Sequence, residues 1–199
     1  MAILTEDQKK EKIECEPEEL KYKIEIATQT LERNIAFVIN CDNKTSIVLT
    51  VIGVLLTIIL TNDGLNALFN IVRSCIQVNT FCDICYLLCL IGAIFITLLG
   101  MFNLGSVLVA KTSEEAMGLK GANSRIFFSG IRKCGDCQTY CNRFYEMSRE
   151  ELLQELLEQT YINADIATQK YAKYNIGLKR TVVGFVLFVL LLLIGIYLY

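Results

Sequence analysis

A chain of 199 residues that is 53% hydrophobic, with positive mean hydropathy, is too apolar for an ordinary soluble domain and reads as a small all-α membrane protein. Its formal charge of −2 gives no bulk attraction to nucleic acid, so no direct nucleic-acid binding is expected. The absence of histidine removes the commonest general base, metal ligand and pH switch.

Residues 1–15 read as a disordered acidic tail, and residues 1–20 carry seven acids and three lysines. Pro17 followed by Glu18 and Glu19 suits a helix start. A cytoplasmic amphipathic helix is expected over 16–44, with its apolar stripe on Leu20, Ile24, Ala27, Leu31, Ile35 and Val38. No secretory leader is expected, because the first apolar run begins near Ser46.

Asp42 and Lys44 stand just before the first span, 45–61, where they are either a polar collar at the headgroup level or half of an ion pair between helices. Residues 62–83 form an external return with an interfacial helix whose greasy face is Leu65, Leu68, Phe69, Val72 and Ile76. The second span, 84–110, is long enough to tilt. At its outer edge Cys82 and Cys85 could close a small disulfide.

Residues 111–179 form a cytoplasmic sensing module, and its 120–149 stretch holds six bases against two acids. The run from Ser124 to Lys133 interleaves aromatic and basic residues. Arg125, Arg132 or Lys133 could hold a phosphate while Phe127, Phe128 or Tyr140 stacks on a base. The same run also fits a core-packing segment with a solvated edge. Cys134, Cys137 and Cys141 are either incidental thiols or three ligands of a metal site in need of a fourth.

Ser148-Arg149-Glu150-Glu151 matches a capping box. From there one helix is expected to run from water into lipid. Its seam is Leu153, Leu157, Thr160, Ala164, Ala167, Tyr171, Tyr174 and Leu178, and Gly177 is its weak point. The last span, 180–199, has no charge from Thr181 to Tyr199, a length of roughly 28 Å. Lysine and arginine placement predicts three transmembrane helices, with the N terminus cytoplasmic and the C terminus outside.

There is no Walker loop, Rossmann fingerprint or nucleophile elbow, so no enzyme and no catalytic residue is expected. The spans lack the buried acids and bases of coupled transporters. An oligomeric pore, a membrane-disrupting assembly or an anchor remains.

Three segments then point to a family. The stretch Asn34 to Thr45, with Asp42-Asn43-Lys44-Thr45 at its end, resembles the helix that carries an Asp-x-Lys-Ala/Thr signature in the transmembrane effectors of Pycsar anti-phage systems. Ile126-Phe127-Phe128-Ser129-Gly130-Ile131 resembles the family's Phe-Phe-Gly motif. Asn163 to Tyr171 resembles its penultimate-helix motif ending in Lys-Tyr, here Lys170-Tyr171. The chain departs from the pattern at Ser129-Gly130-Ile131, where the family often has an acid or amide, and in the Cys134 to Cys141 cluster.

The small residues and single-sided seam lead to the expectation of a homo-oligomer. The resemblance implies an effector in the bacterial inner membrane that touches lipid and is triggered by a cyclic nucleotide from a cyclase encoded nearby. It would have no resident cofactor. It would impair the membrane during phage infection, with Asp42, Lys44, Lys170 and Tyr171 coupling trigger to span. The alternative is a membrane-anchored defence sensor or scaffold that answers to a phage or host protein.

Overall fold

The computed structural model describes residues 17–78, 80–109 and 124–198, and the expected acidic tail and the segment just after Lys111 lie outside them. Among the described residues the secondary structure is helical, with no strand. The helices are α1 (Pro17–Ile59), α2 (Asn62–Val78), α3 (Phe81–Leu108), α4 (Phe128–Lys133), α5 (Cys137–Tyr145) and α6 (Arg149–Leu198). The all-α expectation holds, and α1, α3 and α6 are long and apolar enough to cross a membrane.

Local chemistry sets the ends of these helices. α1 opens on Pro17, whose missing N–H costs nothing at a first helical position, with two glutamates in its first turn. α6 opens with the expected capping box: the Ser148 N–H donates to Glu151 Oε2 at 3.0 Å, and the Glu151 N–H donates to Ser148 Oγ at 3.2 Å. The Thr80 N–H donates to Asp83 Oδ2 at 3.1 Å at the start of α3. No break interrupts α6 across its 50 residues.

The chain divides into two compact units, residues 1–39 with 111–168 and residues 40–110 with 169–199. In the first, α1 and α6 run parallel, and Asn34 Nδ2 donates to the Thr160 carbonyl at 3.5 Å. Leu20 and Ala27 of the expected α1 stripe are buried, but Ile35 is 40% exposed and half-buried Asn34 takes its place.

The expected α6 seam is broader than its apolar residues: Ala167 is buried and Leu153, Thr160, Ala164, Tyr171, Tyr174 and Leu178 are half-buried. Leu157 of the seam is 53% exposed, whereas Leu156, Gln159 and Ile162 beside it are buried. The reason is chemical: the true stripe passes through Gln159 and Lys170, polar residues that a hydropathy pattern assigns to solvent.

In the second unit α1 and α6 again run parallel, while α3 returns antiparallel to α6. Its core joins Ile71 and Cys75 of α2, Leu90 and Ala93 of α3, and Phe188 and Leu192 of α6, with Leu56 and Ile59 of α1 packed alongside. The α2 face that packs inward centres on Ile71 and Cys75, with Leu68 of the expected greasy face alongside. Phe69 and Ile76 of that greasy face are 68% and 65% exposed and point away from this core.

The α3–α6 contact is made by backbone meeting backbone. A Cβ on Gly100 would stand 2.8 Å from Thr181 Cα, and one on Gly184 would stand 2.6 Å from the Thr97 nitrogen. A Cβ on Gly177 would stand 3.0 Å from the Leu104 nitrogen. Gly177 is thus a packing notch and not the weak point that its helix propensity suggests. The Tyr86 hydroxyl donates to the Leu191 carbonyl at 2.7 Å and closes the far end of the same contact.

Candidate functional site

Two constellations concentrate the polar chemistry, one in each unit. In the second unit the Lys170 ammonium donates to Asp42 Oδ1 at 2.6 Å and to Oδ2 at 2.8 Å. The lysine side chain is 6% exposed and the aspartate 35%. Residues 128 apart in sequence, on two parallel helices, are tied here by a two-oxygen ion pair. Cys41 and Thr45, on either side of Asp42, are fully buried, and the Thr45 hydroxyl donates to the Cys41 carbonyl at 2.8 Å. Lys44 is exposed and Tyr171 half-buried.

In the first unit the aromatic turn is fastened to α6 through one carboxylate. Glu155 accepts from the Ser124 hydroxyl at 3.0 Å, the Arg125 N–H at 2.8 Å and Arg125 Nε at 2.9 Å. Arg125 also reaches Glu151 at 3.1 Å. Burial pushes the Glu155 carboxyl up, but the hydrogen bonds from Arg125 and Ser124 outweigh it and hold the group below the usual glutamate range. The bond to Glu155, chiefly, holds the Arg125 guanidinium above its ordinary value.

Arg125, expected to meet a phosphate, is therefore engaged within the chain. Ser124 folds back over the turn, its hydroxyl accepting from the Ile126 and Phe127 N–H groups at 3.3 and 3.2 Å. A Cβ on Gly130 would meet Ser124's backbone, with its nitrogen at 2.9 Å and its carbonyl oxygen closer still. This explains why a glycine ends the Phe127-Phe128-Ser129-Gly130 run.

The remaining expected ligand residues lie on α4 and α5 and on the turn before them. Phe127 is half-buried and Phe128 63% exposed, with ring centroids 4.5 Å apart. Arg132 and Lys133 are exposed in the last turn of α4, which ends at Gly135 in the left-handed region. Tyr140 is half-buried, its ring 6.0 Å from Phe144. The Asp136 carboxylate caps α5 by accepting from the Thr139 N–H at 3.0 Å, and that bond and the Thr139 hydroxyl hold its pKa below the usual carboxylate range.

Among the described residues Cys134, Cys137 and Cys141 do not converge on one point. Cys137 and Cys141 face each other at 4.0 Å, but Arg143 Nη1 donates to Cys134 Sγ at 3.3 Å. Among the described residues no three cysteine, aspartate or glutamate side chains group to hold a metal. Cys82 and Cys85 are both free thiols, so the expected small disulfide is not formed.

Sequence reasoning missed Glu155 and Ser124. No pattern pairs a glutamate with an arginine 30 residues away, although Glu155 is a half-buried glutamate in the acidic first turns of α6. It also missed Gly100, Thr97 and Gly184, for which small residues at spacings of three and four were the available signal.

The PycTM domain, described as the Pycsar effector protein domain, matches residues 26–196. The chain belongs to the PycTM family. A curated relative, the Pycsar effector protein GmPycTM of Gulbenkiania mobilis, is 27% identical over 178 residues, 84% of this chain and 90% of the relative. No solved structure matches the chain. The family match spans the Asp42–Lys170 pair, the Glu155 anchor, the aromatic turn and the three apolar helices, and it establishes the chain as a membrane protein of this effector kind.

Proposed function

We propose that this chain is a non-enzymatic anti-phage effector of the bacterial inner membrane. A cyclic nucleotide from a cognate cyclase binds its cytoplasmic unit, and the membrane is impaired in response. The observation that carries this reading is the Lys170–Asp42 pair. It joins the two long parallel helices immediately before the apolar run of α1 and about three turns before the uncharged run of α6 that begins at Thr181, with Lys170 nearly sealed from water.

The ligand-facing groups are Arg132, Lys133, Phe128 and Tyr140, whereas Arg125 and Phe127 shape the turn that carries them. A ligand acts by binding one arrangement of this segment better than the other, and the differential affinity is all that it can spend on the membrane. Lys44 and Tyr171 border the pair on α1 and α6 and would share in the coupling.

Purified chain in proteoliposomes tests the reading. Cyclic mononucleotides or dinucleotides should collapse an imposed membrane potential, and Arg132→Ser with Lys133→Ser should weaken nucleotide binding at least about tenfold, as the loss of a charge-assisted hydrogen bond predicts. Binding by none of these nucleotides would overturn the nucleotide trigger and favour a protein trigger.

A further inference from the structure

In the second unit α1 stops short of the far end of the bundle. It ends at Ile59, and α2 starts at Asn62. The Leu60 N–H still donates to the Leu56 carbonyl, and the next donor is the Leu65 N–H, to the Thr61 carbonyl, both at 2.8 Å. The N–H groups from Thr61 to Gly64 are therefore the orphans of a helix start. Gly64 lets the two helices meet so closely, because a Cβ there would stand 3.0 Å from the Ile59 carbonyl carbon and nearer still to its oxygen.

The neighbours of this break fix its depth. Leu60 shares a cavity of about 170 Å3 with Leu68 of α2, Ile94 and Leu98 of α3 and Phe188 of α6. Phe188 lies about 10 Å along α6 from Thr181, where the uncharged run opens, and about 16 Å from Tyr199, where it closes. From there α2 climbs beside α3. A Cβ on Gly195, near the end of α6, would stand 2.7 Å from Ile71 Cδ1 and nearer still to the Tyr86 hydroxyl.

One face of α2 packs on this core through Ile71 and Cys75. The other carries Asn62, Asn66, Asn70, Arg73 and Gln77, all exposed. Their spacing sets them in one strip, within about 80° of the helix circumference. Asp63 is exposed beside the deep end of the strip. Among the described residues none of these six side chains has a hydrogen-bond or ion-pair partner. Unpaired amides, charges and peptide N–H groups are strongly penalised against hydrocarbon, so lipid cannot be what this face meets.

We propose that the strip is wetted. A lane of water and small ions enters beside the α2–α3 turn, follows Gln77, Arg73, Asn70 and Asn66, and ends at Asp63 and the orphan N–H groups of the break. Only the last stretch of the uncharged layer, about 10 Å along α6, stays dry. That this lane forms part of the route by which the membrane is impaired rests on the proposed function; the water does not.

Single replacements Asn66→Cys and Asn70→Cys, compared with Ile91→Cys and Phe95→Cys, test it in the otherwise native chain in lipid nanodiscs. Ile91 and Phe95 stand between Tyr86 and Leu98 on α3 and are 60% and 59% exposed. The probe is a permanently charged methanethiosulfonate, itself a small ion, and labelled peptides are timed by mass spectrometry. Positions 66 and 70 should react at least about tenfold faster than 91 and 95, because the attacking thiolate forms only where water reaches it. In the unaltered chain the amides from Thr61 to Gly64 should exchange with deuterated water well ahead of those from Leu55 to Ile59. Labelling at 66 and 70 as slow as at 91 and 95, labelling at 91 and 95 as fast as at 66 and 70, or equal protection of the two amide groups would each overturn the proposal. Both measurements are made without nucleotide, so their failure is separate from a failure of the proposed trigger.

Discussion

Replacing Gly100 by alanine adds one methyl group where the structure has no room for it. The new Cβ would stand 2.8 Å from Thr181 Cα and nearer still to its amide nitrogen and hydroxyl. Unstrained carbon contacts lie near 3.5–4.0 Å, so α3 and α6 must separate locally by on the order of 1 Å. A gap of that size forfeits roughly a quarter to a half of each contact well along the seam. Thr97 against Gly184 and Leu104 against Gly177 share that seam.

Overpacking of this kind costs about 2 kcal/mol, a factor of about 30 in the folding equilibrium. Gly105 on the same helix is the internal control, because a Cβ there meets nothing within 4 Å. Gly105→Ala should be neutral or slightly stabilising, since alanine is the better helix former. Thermal unfolding of the three purified proteins in one mild detergent, followed by helical circular dichroism, decides it. Equal melting of Gly100→Ala and Gly105→Ala would refute the reading of α3–α6 as a backbone-contact interface. If the interface also holds the resting state, Gly100→Ala should be more toxic on expression than Gly105→Ala.

The Asp42–Lys170 pair should respond asymmetrically to its two single replacements. Asp42→Asn strands an ammonium that is 6% exposed and should cost about 3 kcal/mol, whereas Lys170→Met leaves a carboxylate that is 35% exposed and should cost about 1 kcal/mol. Equal losses in a detergent melt would mean that the lysine is not sealed. The Glu155 anchor should be acid-sensitive. Its carboxyl is held below its unfolded value of about 4.3, so its contribution is complete above that pH and fades as pH falls through the folded value. The difference in melting temperature between the native chain and Glu155→Gln should accordingly be largest near neutrality and shrink below about pH 4. A constant difference would show that Glu155 acts by shape alone.

The parts of the fold legible in the sequence were those set by local chemistry. Pro17 with two glutamates starts α1, Ser148 with Glu151 starts α6, and uncharged apolar runs mark the long helices. Asp42 and Lys170 were legible as residues of the membrane boundary, but only the parallel packing of α1 and α6 makes them partners. The α6 stripe was read too narrowly because its inward positions include Gln159 and Lys170, and polarity was taken for exposure. Arg125 was read as a phosphate ligand because its competitor, Glu155, is brought to it by tertiary structure. Gly177 was read through intrinsic propensity, whereas its neighbour on α3 gives the absent side chain its purpose.

Cys41 is fully hidden beside Asp42, and Cys75 is 1% exposed in the core of the same unit, while Cys82, Cys85, Cys89 and Cys137 face outward. The protein therefore carries native chemical clocks at two places in one bundle. Alkylation timed by mass spectrometry will consume the thiol of Cys137, outside the apolar helices, first and the two hidden ones only as fast as the bundle breathes. Labelling of Cys41 ahead of Cys75 would report parting at the ion pair alone, and simultaneous labelling would report dissolution of the whole bundle, without a single engineered probe.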